Sequence, residues 1–388
     1  MENQLSSEEL VQLVHSVFQP GPEDKNIGIL IDLPDTTVPD TPAWKIRRTL
    51  AVQWTEILNG AKKQLGLEQV FAVFYGNVHN NNADLPGTFF TGSHVPDSMD
   101  IHTVENQCES VTADRLFSET RIFMAPTQFS ATAPLKVLAK KYGFRAATMP
   151  GFSGQMIPAL RIDYSEVNKR VLELKTILDP STAVKIVWIA NGETIEAVFD
   201  IRFRQAHASG GRFPDPGTAG NLPSGECYIV PYEGELNTPS GSQGVLPVQF
   251  GDEVVLYRIE ENKAVDILSD GTVSDRERRK IKEEPAYANI AEIGFGILED
   301  FGLSPIGEIL LDEKLGLHIA FGRSDHFGGA VGPEDFTSPD AVCHLDRIYL
   351  PQIQSGIHVQ SVEIMDPSGP SRQIMRNGKY TIFKQKLE

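Results

Sequence analysis

The chain has 388 residues with 35 basic and 52 acidic side chains, a formal net charge of −17. That length predicts two domains, and a composition 40% hydrophobic and 22% charged is that of a globular protein able to bury a core. The negative balance argues against a nucleic-acid groove, which needs a basic surface to release counterions, and no run of about 18 apolar residues offers a membrane span.

Ser6 and Glu9 form a capping box ahead of Leu10, Leu13, Val14 and Val17 at helical spacing, which predicts a helix over about 7–18. NIGILIDLP (26–34) is an Ile-rich run suited to a strand buried on both faces, and Thr41-Pro42 opens a helix reaching toward Gly66. The alternation continues through VFAVFYG (70–76), RIFMAP (121–126), a helix from Ala131 to Tyr142, AATMP (146–150) and a long helical stretch from Met156 to Leu178. Strands alternating with helices predict an α/β domain over 1–180, built on a doubly wound, mostly parallel sheet.

After Asp179-Pro180 the texture changes. KIVWIA, TIEAVFDIRF, EVVLYRI and KAVDILSDG read as strands joined by tight turns at Asn191-Gly192 and Asp270-Gly271, so 181–388 is expected to be a mixed or antiparallel β-rich domain. The segment 208–242, rich in Gly, Pro and Ser, reads as a loop lining a site. HASGGR (207–212) lacks the lysine of a phosphate loop and reads as a flexible loop, while SDRERRKIKEEP (274–285) reads as a solvated helix face. The opening segment MENQLSSEELVQLVHSVF has no secretory-leader pattern, and the three cysteines (Cys108, Cys227, Cys343) form no CxxC pair. A reduced, cytoplasmic setting is expected, with Cys227 and Cys343 as small core residues.

Four stretches in the second half gather metal-capable side chains beside glycines: NLPSGE ending at Glu226, NIAEIGFG around Glu292, DEKLGLHIAFG around His318, and CHLD with His344 and Asp346. In the last, His and Asp two apart on a strand project from one face and can approach one ion. Two Glu, two His and one Asp make an oxygen and nitrogen set of the kind that holds two divalent ions by sharing a carboxylate. From spacing alone, that reading and a set of separate hydrogen-bonded pairs stay equally open.

The stretches GNLPSGECYIVP (220–231), ANIAEIGFG (288–296), LLDEKLGLHIAFG (310–322) and HLD (344–346), with QFSATAPLK and AATMPGFSGQM more loosely, resemble the thermophilic metallopeptidase family of aminopeptidases, which includes aminopeptidase T, aminopeptidase S and PepS. The resemblance implies that Glu226, Glu292, His318, His344 and Asp346 are ligands of two divalent ions. Zinc is the default, with cobalt, manganese or magnesium as substitutes. It further implies a homodimer that removes N-terminal residues from small peptides or related amides through a metal-activated water. The family places a tyrosine seven residues after the first ligand histidine; here Asp325 stands there with His326 beside it, and these two join Glu292 as the expected catalytic residues. The same fold group contains iron-dependent ring-opening dioxygenases acting on dihydroxypyridines, which share the HLD stretch but replace the second glutamate by histidine and lack the first glutamate and first histidine. An Fe(II) dioxygenase and a non-catalytic metal-binding relative are therefore the alternatives to a metallo-hydrolase.

Overall fold

The computed structural model describes residues 4–92, 98–367 and 369–383. In chain order its strands are β1 (Asn26–Leu33), β2 (Gln69–Gly76), β3 (Thr88–Gly92), β4 (Glu109–Thr112), β5 (Ile122–Ala125), β6 (Arg145–Thr148), β7 (Ala183–Ala190), β8 (Glu193–Asp200), β9 (His207–Ser209), β10 (Ala219–Asn221), β11 (Glu226–Ile229), β12 (Gln243–Phe250), β13 (Glu253–Glu260), β14 (Lys263–Ile267), β15 (Ile290–Gly296), β16 (Leu317–Gly322), β17 (His344–Ile348), β18 (Ile357–Met365), β19 (Arg372–Arg376) and β20 (Lys379–Tyr380). The helices are α1 (Ser7–Phe18), α2 (Pro42–Ala61), α3 (Ile101–Gln107), α4 (Ala113–Glu119), α5 (Thr132–Tyr142), α6 (Ile157–Leu160), α7 (Tyr164–Leu178), α8 (Thr272–Glu283) and α9 (Ile309–Asp312). The chain forms two compact units: Met1–Asn168 with Ser209–Ser224 and Glu308–Leu311, and Lys169–Ala208 with Gly225–Gly307 and Asp312–Glu388.

The first unit is built on a seven-stranded sheet in the order β10-β6-β5-β1-β2-β3-β4. Strands β10, β6, β5, β1 and β2 run parallel, and β3 and β4 close one edge antiparallel. The mostly parallel sheet expected from the alternation is thus present. Strand β1 sits at its centre and is buried from Ile27 to Leu33, as an Ile-rich run without polar alternation requires. The Ser6 capping box starts α1, and Thr41 Oγ1 accepts from Trp44 N at 3.2 Å to start α2, with Pro42 supplying a preset φ.

Two expectations for this half are corrected. The helical stretch from Met156 to Leu178 is interrupted: α6 ends at Leu160, and Asp163 begins α7 by accepting from Ser165 N at 2.9 Å through its carboxylate and from Val167 N through its carbonyl. A side chain that caps competes with helix continuation, so the apolar period runs on while the backbone breaks. HASGGR is not a flexible loop: His207–Ser209 form β9, and the glycines that follow are closely packed. A Cβ at Gly210 would lie 2.3 Å from Asn168 Oδ1, and one at Gly211 would lie 2.4 Å from the Tyr164 ring.

The second unit contains two antiparallel sheets, eight-stranded in the order β14-β13-β12-β8-β7-β18-β19-β20 and five-stranded in the order β17-β16-β15-β11-β9. Asn191 and Gly192 both have positive φ (52° and 80°), the turn that joins β7 to β8 with the right twist. The stretch 208–242 is more than a loop, since it carries β10 and β11, and β11 brings Glu226 into the five-stranded sheet. Cys227 is fully buried as expected, whereas Cys343 is only half-buried. Among the described residues, no helix is long and apolar enough to cross a membrane.

Candidate metal centre

The five-stranded sheet turns sequence neighbours into a site by the period of two. Side chains two apart share a face, so Glu226 and Tyr228 on β11, Glu292, Gly294 and Gly296 on β15, His318, Ala320 and Gly322 on β16, and His344 and Asp346 on β17 form matching rows. Register then sets who meets whom. Gly296 lies opposite Glu226, and Gly294 lies opposite both Tyr228 and His318. Ala320 separates Glu292 from Asp346, and Gly322 lies opposite His344. The small residues are what make the cluster possible: a Cβ at Gly294 would fall 1.9 Å from His318 Nε2, so only glycine there lets the imidazole lie across β15.

All five expected ligands converge. His318 Nε2 is 3.2 Å from Glu292 Oε1 and 3.6 Å from Glu226 Oε2. His344 Nε2 is 3.2 Å from Glu292 Oε2 and 3.6 Å from Asp346 Oδ1. Two groups of potential ligands result, Glu226–Glu292–His318 and Glu292–His344–Asp346, with ligand atoms in each within 4.8 Å of one another. Glu292 belongs to both and turns one oxygen to each histidine. The first group is buried, while His344 and Asp346 are half-buried and form the accessible end.

Second partners orient the imidazoles. Nδ1 of His318 lies 3.2 Å from the Gly316 carbonyl and Nδ1 of His344 lies 2.8 Å from the Arg323 carbonyl. A carbonyl only accepts, so each Nδ1 carries the proton and each Nε2 is left to face the cluster, the tautomer that metal-binding histidines adopt. Burial pushes the Glu292 carboxyl up, but hydrogen bonds from His318 and His344 outweigh it and hold the group below the ordinary carboxylate range. Burial pushes His318 down; Glu292, Glu226 and Asp346 reverse this and raise it to about 9. His344 is likewise raised against its burial by Asp346 and Glu292. Glu226 Oε2 is buried without a hydrogen-bond partner, an expensive state that a cation would relieve. The donor set of carboxylate oxygens and imidazole nitrogens fits divalent ions of the zinc type.

Asp325 and His326 lie on a short turn with Phe327 and belong to neither ligand group. The Asp325 carboxylate accepts from Arg323 Nε at 2.6 Å and Nη2 at 3.2 Å, and that guanidinium, against some burial, keeps its carboxyl below the usual range. The His326 ring is 5.3 Å from the His344 ring; desolvation first, then the charges of His344 and Arg323, push it down to about 4. Glu233 anchors this loop, accepting from Ser324 Oγ at 2.6 Å and from Ala330 N. Phe327 packs 5.4 Å from His344 and 4.8 Å from Tyr228, which stacks on His207 at 5.1 Å, so an aromatic row flanks the cluster.

Three residues at this centre, Lys314, Gly294 and Gly296, escape a reading of the ligands alone. Lys314 bonds Glu226 Oε1 at 2.5 Å and also bonds Glu313, all three being buried or nearly so. The pair Gly294 and Gly296 makes the space, and its signal was available as Glu-x-Gly-x-Gly at strand period. Lys314 had a weaker signal, a lone cation between the apolar runs of LLDEKLGLHIAFG.

No family model matches the chain, and no curated protein matches it. Solved structures do share its fold. The 2,5-dihydroxypyridine dioxygenase from Pseudomonas putida KT2440 superposes with a TM-score of 0.60 at 16% identity, covering 98% of this chain and 99% of that one. Wild-type AmpT from Thermus thermophilus superposes with a TM-score of 0.53 at 14% identity, covering 97% and 99%. At these identities the likeness establishes a common fold over nearly the whole of both chains.

Proposed function

We propose that this chain is a metal-dependent hydrolase of the aminopeptidase kind, with Glu226, Glu292, His318, His344 and Asp346 holding two divalent ions. The observation that carries this is the position of Glu292, which offers one oxygen to each of two three-ligand groups, as a bridging carboxylate does. When bound, such ions polarise a carbonyl and make water nucleophilic near neutral pH. The chain's own residues do the rest. The Gly316 and Arg323 carbonyls hold the two imidazoles by Nδ1, the half-buried His344 and Asp346 face the incoming amide, and the Tyr228–Phe327 row keeps bulk water from one side. The substrate is a small peptide or related amide with a free amine.

A dioxygenase reading has its own support in the fold shared with the 2,5-dihydroxypyridine dioxygenase. A single Fe(II) oxygenase centre uses two histidines and one carboxylate on one ion. Each ligand group here has one histidine and two carboxylates, which favours the hydrolase. Elemental analysis of purified protein, with assays on amino-terminal amides and on dihydroxypyridines with oxygen, separates the readings. Two zinc-like ions per chain with amide hydrolysis is expected. One iron with oxygen uptake would replace the hydrolase, and a loaded site inert to both panels would make the chain a binder.

A further inference from the structure

Lys314 is 2% exposed, in a turn between Glu313, which its ammonium also bonds, and the buried Leu315. A buried ammonium persists only where its partners match it in charge and geometry. It reaches this position because β15 has no side chain in the way. A Cβ at Gly296 would fall 2.4 Å from the Lys314 carbonyl carbon and 2.6 Å from Gly316 N. The turn is then fastened to β15 and its continuation, Gly296 N donating to Gly316 O and Leu298 N to Lys314 O, both at 2.9 Å. Since Gly296 is also the ladder partner of Glu226, the gap that admits the turn sets the ammonium beside that carboxylate.

The two oxygens of Glu226 are consequently unequal. Oε1 accepts from the ammonium at 2.5 Å. Oε2 has no hydrogen-bond donor and lies 3.6 Å from His318 Nε2, at the ligand end of the cluster. Building on the two-ion reading, we infer that Lys314 is a positioning residue whose ammonium holds Glu226 Oε1, so that Glu226 serves its ion as a one-oxygen ligand through Oε2. Lys314 touches neither ion nor substrate and acts through Glu226. Held this way, the carboxylate occupies one coordination position instead of two, which keeps room at the buried Glu226–His318 end for a water.

Removing the ammonium has two effects of opposite sign, and this makes the role testable. Charge alone predicts tighter binding of dications, because a nearby positive charge is gone. Loss of orientation predicts weaker binding, by about 10–100-fold for the partner of a metal ligand. The experiment is a Co(II) titration of chelator-treated wild type, Lys314→Met, Lys314→Gln and Glu226→Gln, read by visible absorption and by bound metal after gel filtration. Both Lys314 variants are expected to bind one of the two ions about 10–100-fold more weakly, with an altered absorption band for that ion, approaching Glu226→Gln. Two ions bound as tightly as in wild type, or more tightly, with an unchanged spectrum would overturn the inference. If Lys314→Met does not fold, Lys314→Gln carries the same test, since its shorter, uncharged side chain keeps the position polar without the ammonium that holds Glu226 Oε1. A wild type that takes up a single ion defeats the two-ion reading instead, and Lys314 is then judged on whether its variants change that ion's affinity and spectrum.

Discussion

Asp32 in the first unit and Glu292 in the second are both carboxylates on central strands, 1% and 4% exposed, and they differ in what faces them. Asp32 accepts from Gln128 N, Phe129 N and Trp44 Nε1 at 2.8–3.0 Å. These donors cannot lose their hydrogens, so the fold itself completes the group, even though burial still pushes its carboxyl above the ordinary range. Glu292 faces two imidazole nitrogens that can lose theirs, beside a Glu226 oxygen with no donor at all. Burial of a carboxylate therefore does not mark a functional centre. Exchangeable partners do, because only they can give way to a cation.

The largest test of this contrast is Asp32→Ala, which takes the carboxylate acceptor from Gln128 N and Phe129 N and leaves Trp44 Nε1 only the Asp32 carbonyl. It should cost about 3–5 kcal/mol in urea unfolding, with metal content per folded chain unchanged. Loss of metal from a folded Asp32→Ala protein would show that the two carboxylates are not independent. Glu292→Gln should shift the balance the other way: affinity for divalent ions falls by about 100-fold or more, a larger change than the loss of metal-free stability that follows when His318 and His344 lack their charged partner. Full metal content and undiminished amide hydrolysis in that variant would remove Glu292 from the centre.

Acidity sharpens the same comparison. His318, raised from 6.5 to about 9 in the fold, stabilises the metal-free protein fully below pH 6.5, and this stabilisation is lost as pH rises through about 9. Metal uptake releases the same protons, so affinity should rise across that interval. Melting curves of chelator-treated protein should thus fall by about 5 °C between these pH values while metal-loaded protein holds or gains. Parallel curves would mean that His318 does not exchange its proton for a cation. The smallest effect belongs to Asp325→Tyr, which breaks a part-exposed pair with Arg323 worth about 1 kcal/mol or less. Metal content should stay constant, and relative kcat/KM over neutral, basic and acidic amino-terminal amides should shift by about tenfold or less. Unchanged preferences would put Asp325 outside the substrate's reach.

Much of the fold was legible because its elements are long enough to show a period. The runs that became β1, β2, β7 and β13 carry four or more apolar residues, and α1 and α2 carry capping residues at their starts. The elements between 88 and 119 were not legible. Strands β3 and β4 have five and four residues and helices α3 and α4 have seven each, too short for a period to repeat, and their starts rest on single caps such as Asp100 and Thr112. The break at Asp163 was invisible for a related reason: apolar spacing continues across a capping residue that the backbone does not.

By itself the sequence determined the chemistry available at the centre. The types of five side chains, the pairing of His344 and Asp346 on one strand face, and the small residues at 294, 296, 320 and 322 all follow from composition and a period of two. Only the tertiary structure decided which of these meet. Strand register across β11, β15, β16 and β17 is a collective property of the whole sheet, and a slip of one residue would turn every candidate ligand to the other face. The same holds for Lys314 and Asp325. Each is a charged residue near His318 in sequence, yet one reaches Glu226 through the gap at Gly296 while the other is held by Arg323, because the space left by packing governs where a long side chain can go.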